Sequence, residues 1–205
     1  MPAPDWLACA LQAENDGALA DNIRSALVSG REIFICDGMI DAAMVARIGA
    51  AVKALHYIRR EKSRPGVPGL AAVSDIAMTM IPGDVFLQTL RGIVEQLFPT
   101  ERFSDQRAYV NSSVFGDGYY AHRDCAPEEK HVTALYYANT EWQSDWGGET
   151  IYFNDAEDAE LVVSPRPGRV VIARGAILHR GGVPARVCHE ERYTLAYKLN
   201  YAGAR

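Results

Sequence analysis

The sequence predicts a mainly β domain of the jelly-roll or cupin-like kind, with supporting helices early in the chain. Three observations predict it. From Phe103 onward β-branched and aromatic residues dominate and turn signals recur at short intervals, the pattern of many short strands. Before that point, apolar residues recur at helical spacing in two stretches. At 205 residues and 48% hydrophobic content, the chain can bury one sizeable core and is short for two. A single domain over 1–205 is expected, with 1–102 as mainly helical support and 103–205 as the β core.

Taken in order, the first 30 residues, rich in Ala and Leu, read as one or two short outer helices. Glu32 to Cys36 is a short apolar run closed by Asp37 and Gly38, which suits a buried strand. Asp41 looks like an N-cap for a helix from Ala42 to Ile58, with Met44, Val45, Ile48, Val52 and Leu55 inward and Arg47 and Lys53 outward. Arg59 to Gly69 combines charge with two Pro and two Gly, and reads as a loop. Its cations Arg59, Arg60, Lys62 and Arg64 either solvate a helix end or meet an anionic substrate at a pocket mouth. A second helix runs from about Gly83 to Leu97 and stops at Pro99. Candidate strands then follow at Arg107–Phe115, Tyr119–Asp124, His131–Tyr137, Glu149–Phe153, Glu160–Val163, Arg169–Ala173, Ala176–His179 and Arg192–Asn200.

Composition excludes several function classes. A formal net charge of −5 provides no basic field for a phosphate backbone, so nucleic acid is not expected as a partner. No apolar run reaches the length of a membrane span, and none is expected to meet a membrane. The four cysteines lack paired spacing and the N-terminus lacks a signal-peptide pattern, which together predict a reducing, cytoplasmic setting.

The chemistry-bearing stretch is Gly118 to Cys125. In extended chain His122 and Asp124 point the same way, about 7 Å apart. Two His and one carboxylate on one side of a metal is the arrangement of non-haem Fe(II) oxygenases. Taken alone the triplet is a weak signal and also fits a half-buried strand with polar groups facing water. For the second imidazole, His56 lies in the helical part and His131 opens the next strand. His179 closes an apolar strand before Gly181 and Gly182, and His189 lies in a charged loop, so His179 is the better candidate. Thirteen positions after His179, Arg192 opens a strand whose one face carries Arg192, Thr194, Ala196 and Lys198, and whose other carries Tyr193, Leu195, Tyr197 and Leu199. Arg192 and Thr194 are placed to grip a carboxylate of a dicarboxylic co-substrate. The alternative is an Arg paired with a surface acid.

His122, Asp124, His179 and Arg192, in that order on a β-rich C-terminal half, resemble the Fe(II)- and 2-oxoglutarate-dependent dioxygenases, and in particular their prolyl 4-hydroxylase-like branch. HVTALYYANTEW with DWGGETIYF, and PRPGRVVIARGAILHRGGVPA, are similar to that branch's central strands and the strand leading to its distal His. The likeness covers roughly Arg107 to Asn200. It implies a double-stranded β-helix in which His122, Asp124 and His179 bind Fe(II) as the catalytic centre. Arg192 would bind the distal carboxylate of 2-oxoglutarate. Tyr137 matches a Tyr that helps hold the co-substrate, and Tyr109 and Asn111 would line its pocket. Where the branch often has Tyr near the iron-binding strand, this chain offers Phe115.

The implied chemistry is oxidative decarboxylation of 2-oxoglutarate by O2 to succinate and CO2, coupled to hydroxylation of a small molecule or a peptidyl residue, with ascorbate keeping iron reduced. The carboxylate of Asp124 argues against halogenating relatives. Trp142, Trp146 and the Arg59–Gly69 loop are candidates for closing the pocket, and Trp146 is alternatively a structural plug. A cupin-like metal-binding sensor without turnover is the competing class, and a nucleic-acid dealkylase is disfavoured by the acidic balance. Cys125, next to a metal ligand, is expected to turn into the core.

Overall fold

The computed structural model describes residues 22–205. Its strands are β1 (Ile23–Val28), β2 (Arg31–Cys36), β3 (Ile58–Glu61), β4 (Ala71–Ile76), β5 (Glu101–Ser113), β6 (Val132–Tyr137), β7 (Thr150–Phe153), β8 (Ala159–Val163), β9 (Val170–Arg174), β10 (Leu178–Gly181) and β11 (Arg192–Ala204), and its α-helices are α1 (Ala42–Lys53) and α2 (Val85–Leu97). Eight strands form one antiparallel sheet in the order β1-β2-β9-β6-β11-β5-β4-β3, and β10-β7-β8 form a smaller one.

Strand alternation sorts the side chains into three layers. On β11, Tyr193, Leu195, Tyr197 and Leu199 face the helices, packing with Val52 of α1 and with Phe86, Leu90, Ile93 and Val94 of α2. The same side takes Ala108 and Val110 of β5, Val132, Ala134 and Tyr136 of β6, and Val170 and Ile172 of β9. On the opposite face Tyr137, Val171 and Ala173 pack with Tyr152 of β7 and Val163 of β8, so the small sheet covers that side. Period-two alternation thus gives the large sheet two buried faces, one apolar against helices and one that is partly polar.

The helix starts follow local chemistry. Asp41 accepts from the Met44 backbone N–H at 2.8 Å, and Asp84 from that of Leu87 at 2.9 Å, each satisfying a first-turn donor. The first helix ends at Lys53 instead of Ile58, because Ile58 begins β3.

The N-terminal part departs most from the sequence expectation. Within the first 30 residues, 1–21 lie outside the described residues, and Ile23–Val28 is a strand instead of a helix. It is joined to β2 by a two-residue turn, Ser29 and Gly30, both at positive φ (48° and 72°), the geometry that matches strand twist in tight hairpins. The strand is an edge, largely exposed, so its apolar alternation is weak and tertiary pairing overrides helix propensity. The segment 22–102 therefore supplies strands as well as the two α-helices. Besides β1 and β2, it contributes β4, which pairs with β5, and the edge strand β3, which pairs with β4 and takes Arg59 to Glu61 out of the expected loop. Charge on this edge is neutralised pairwise, Arg60 with Asp75 and Arg107 with Glu61 and Asp75.

Gly182 is enclosed by backbone. A Cβ there would lie 2.6 Å from the Glu149 carbonyl oxygen and 3.0 Å from its nitrogen. Gly182→Ala is expected to separate the end of β10 from the start of β7 and to cost about 1–3 kcal/mol, read as a lowered urea midpoint at unchanged slope.

Candidate active site

The His122 segment crosses to the small sheet and pairs with β10. His122 and His179 exchange backbone hydrogen bonds at 2.9 and 3.0 Å, and the Asp124 N–H donates to the Gly175 carbonyl at 2.7 Å. The stretch Tyr119–Asp124 is therefore not a full strand: its ladder is a single bridge, too short for regular pairing. Close approach needs glycine at 175, where a Cβ would sit 3.1 Å from Cys125 Sγ and 3.2 Å from Asp124 Cβ.

That bridge brings His122, Asp124 and His179 together, with one ligand atom of each within 4.8 Å of the others. Each imidazole is oriented by a backbone carbonyl, which can only accept. Nδ1–H of His122 donates to Tyr120 O, and that of His179 to Ile177 O, both at 3.0 Å, so Nε2 is the free lone pair on each ring. These Nε2 atoms lie 3.5 Å and 3.9 Å from the Asp124 oxygens. Burial pushes His179 toward its neutral, ligating form.

Asp124 is held from both sides. Lys198 Nζ donates to Oδ1 at 2.8 Å and Thr133 Oγ1 to Oδ2 at 2.6 Å. Burial works against its charge, but His179, His122 and the Lys198 ammonium outweigh burial and keep the carboxyl well below the usual range. Lys198 itself is pushed up despite burial, by Tyr109 and Asp124. The sequence reading placed Lys198 on the right strand face but gave it no role; the signal was its alternation with Arg192.

Arg192 lines the same cavity as the His–Asp–His cluster, with Tyr109, Asn111, Thr150 and Thr194. It is 2% exposed. The other two buried arginines are ion-paired, Arg169 with Asp37 and Arg174 with Glu101 and Glu32. Among the described residues, Arg192 has no carboxylate partner, and a buried unpaired guanidinium is costly unless an anion joins it. It is instead anchored by neutral oxygens: Nε donates to Gly148 O at 2.7 Å, and the terminal nitrogens to Thr150 Oγ1 at 3.3 Å and Thr194 Oγ1 at 3.4 Å. The hydroxyl of Tyr137 donates to Val163 O and meets Thr150 Oγ1 at 2.7 Å. Tyr137 does not line the cavity; its ring lies 5.4 Å from the Arg192 guanidinium, supporting it from behind.

Tyr119 was missed from sequence. Tyr119 and Asn111 line the cavity, and among the described residues the Tyr119 hydroxyl and Asn111 Oδ1 are buried without a hydrogen-bond partner. Phe115, which the sequence offers where the resemblance has a Tyr, is 59% exposed. Tyr152 and Thr133 also line the cavity without having been singled out. Of the other histidines, His56 and His189 are exposed, and His131 lies beside Cys125 and Glu129, away from this cavity. Trp146 is buried and Trp142 donates to Gly147 O at 2.9 Å, the two rings meeting edge to face. They brace the Gly147–Gly148 turn and do not line the cavity. Cys125 is half-buried instead of fully turned into the core, its thiol pushed up to about 11 by burial and Glu129.

The sequence profile described as "2OG-Fe(II) oxygenase superfamily" matches residues 108–198. Residues 108–198 carry a 2OG-Fe(II) oxygenase domain. No curated protein matches it significantly in sequence. Among solved structures, it resembles a prolyl hydroxylase of Trichoplax adhaerens in complex with a hypoxia-inducible-factor peptide fragment (TM-score 0.63, 15% identity, 96% of this chain and 93% of that one). It also resembles a Pseudomonas putida prolyl-4-hydroxylase (0.60, 20%, 96% and 100%) and HygX of Streptomyces hygroscopicus with nickel and 2-oxoglutarate bound (0.61, 14%, 83% and 83%). At these identities the likeness is one of fold, the double-stranded β-helix of this oxygenase superfamily. The oxygenase uses Fe(II) and 2-oxoglutarate.

Two substitutions probe the oxygenase site. Lys198→Met leaves Asp124 without its cation and is expected to weaken Mn(II) binding about 10–100-fold, by calorimetry. Gly148 adopts φ +79°, and a Cβ there would lie 2.9 Å from Arg192 Cδ. Gly148→Ala is expected to displace Arg192 and raise the KM for 2-oxoglutarate at least about tenfold, a loss of about 1.4 kcal/mol.

Proposed function

We propose that this oxygenase hydroxylates an unactivated C–H bond of a small metabolite or of an amino-acid residue, releasing succinate and CO2. The observation that carries the reading is one cavity whose wall holds both the His122, Asp124, His179 cluster and the buried, unpaired Arg192.

The donor set fits Fe(II). Two imidazole nitrogens and one carboxylate oxygen converge, and that set leaves coordination positions open. In this reading His122, Asp124 and His179 are the metal ligands. Bound there, iron supplies the redox chemistry by which O2 and 2-oxoglutarate are consumed and the substrate is oxidised. The protein's own residues do the rest. Lys198 and Thr133 hold the Asp124 carboxylate in one orientation, and the carbonyls of Tyr120 and Ile177 hold the two imidazole tautomers. Arg192 receives the distal carboxylate of 2-oxoglutarate, with Thr194 beside it.

A relay keeps Arg192 in place: its Nη2 donates to Thr150 Oγ1, Thr150 donates to the Tyr137 hydroxyl, and Tyr137 donates to Val163 O. Tyr109, Asn111 and Tyr119 supply polar wall, the last two with atoms awaiting a partner. Leu135, Ala173 and Ala196 supply apolar wall that limits water. Support for a reducing, cytoplasmic location comes from the free thiols of Cys36, Cys125 and Cys188. Among the described residues no helix is long and apolar enough to cross a membrane.

With Fe(II), ascorbate and 2-oxoglutarate, succinate release should rise on addition of a true substrate and fall at least about 100-fold in His122→Ala, Asp124→Ala or His179→Ala. Arg192→Met should raise the KM for 2-oxoglutarate about 30-fold or more, since losing a buried charged hydrogen-bond partner costs about 2–5 kcal/mol. Binding of metal and 2-oxoglutarate without any succinate across a broad substrate panel would favour the sensor reading instead.

A further inference from the structure

Beside the inner cavity lies an outer chamber of about 440 Å³ that shares His122, Asp124, Tyr109, Asn111 and Tyr119 with it. Its outer wall is Glu61, the last residue of β3, with Lys62 to Pro65 of the loop that follows, and Arg123 and Lys198 complete it. The loop is fastened over the His122 segment: the Tyr120 N–H donates to Ser63 Oγ at 3.1 Å, and Arg64 Nη1 to Ala121 O at 3.4 Å. Whatever approaches the metal cluster from this side passes Lys62 and Arg64.

The charges around this chamber do not balance. Its two carboxylates are already matched, Glu61 by a two-pronged hydrogen bond from Arg107 (2.9 and 3.0 Å) and Asp124 by Lys198. Of the four arginine and lysine side chains of β3 and the loop after it, two are also taken, Arg59 by Asp117 and Arg60 by Asp75. Lys62 and Arg64 have no carboxylate within 4 Å among the described residues, and Arg123, which donates to the Ala176 carbonyl, has as carboxylate only the exposed Asp155 at 3.7 Å. A chain of net charge −5 thus presents a locally cationic rim to its reaction chamber, and a recessed rim focuses field toward an incoming anion.

We propose that the oxygenase's prime substrate carries an anionic group, a carboxylate or a phosphoryl group, that Lys62 and Arg64 receive while another part of the molecule lies over His122 and Asp124. The proposal rests on the assignment of the inner cavity to metal and 2-oxoglutarate. A volume near 440 Å³ fits a small molecule or one residue of a larger one. Because both cations are exposed, the attraction weakens with salt.

The test uses the protein loaded with Mn(II) and saturating 2-oxoglutarate, so that Arg192 is occupied, and three probes of similar size: benzoate, phenyl phosphate and benzyl alcohol. Paramagnetic broadening of probe resonances reports binding near the metal. At least one anionic probe should bind about tenfold or more tightly than benzyl alcohol, and whichever is tighter identifies the group as carboxylate or phosphoryl. That preference should fall at least fivefold in Lys62→Gln/Arg64→Gln. Equal binding of the neutral probe in the wild type, or an undiminished preference in a double variant that still binds Mn(II) and 2-oxoglutarate, would overturn the proposal. Failure of the wild type to bind Mn(II) and 2-oxoglutarate would instead sink the inner-site assignment, and the wild-type comparison of anionic with neutral probes, read by ligand-observed saturation transfer, would still decide the chamber's preference.

Discussion

The backbone bridge between His122 and His179 is the constraint on which the site depends. Two hydrogen bonds, 2.9 and 3.0 Å, tie a loop leaving the large sheet to the edge of the small one. Without that link the two imidazoles would belong to separate elements joined only by loops. With it, their facing positions follow from strand pairing, and Asp124, bonded through its backbone to Gly175, is carried along. The site is thus set mainly by main-chain geometry and refined by side chains.

The second organising feature is the division of faces on the central strands. β11 sends four large apolar side chains to the helices, Arg192, Thr194 and Ala196 to the cavity, and Lys198 to the chamber beside it. Core stability and site polarity are therefore written on one strand in alternate residues, so a one-residue slip in register would exchange them. The long pairing of β11 with β5 on one side and β6 on the other opposes such a slip.

Much of this was legible in the sequence, for reasons that differ by residue. His122 and Asp124 are two apart, so extended chain places them on one side, and the alternation of β11 could be read directly. The β-rich second half was visible because its strands are rich in β-branched and aromatic residues and separated by strong turn signals. The N-terminal hairpin was not, since β1 is an exposed edge strand whose Ala and Leu content favours helix and whose pairing with β2 is tertiary. Lys198 was given no role and Tyr119 was missed because their importance comes from what they meet across the fold, Asp124 and the cavity. Tyr137 was found for its position, yet the structure shows it acting behind Arg192 and Thr150.

Arg192 has one further consequence. A long cationic side chain normally surrenders rotational freedom when it captures an anion, at about 0.5–1.5 kcal/mol. Here the guanidinium is already fixed by Gly148, Thr150 and Thr194 and backed by the Tyr137 ring. That entropy was surrendered when the chain folded, and the small and large sheets are laced together by the same contacts. The chain's fold therefore stores, in one immobilised side chain, part of the ordering that capture of an anion would otherwise require.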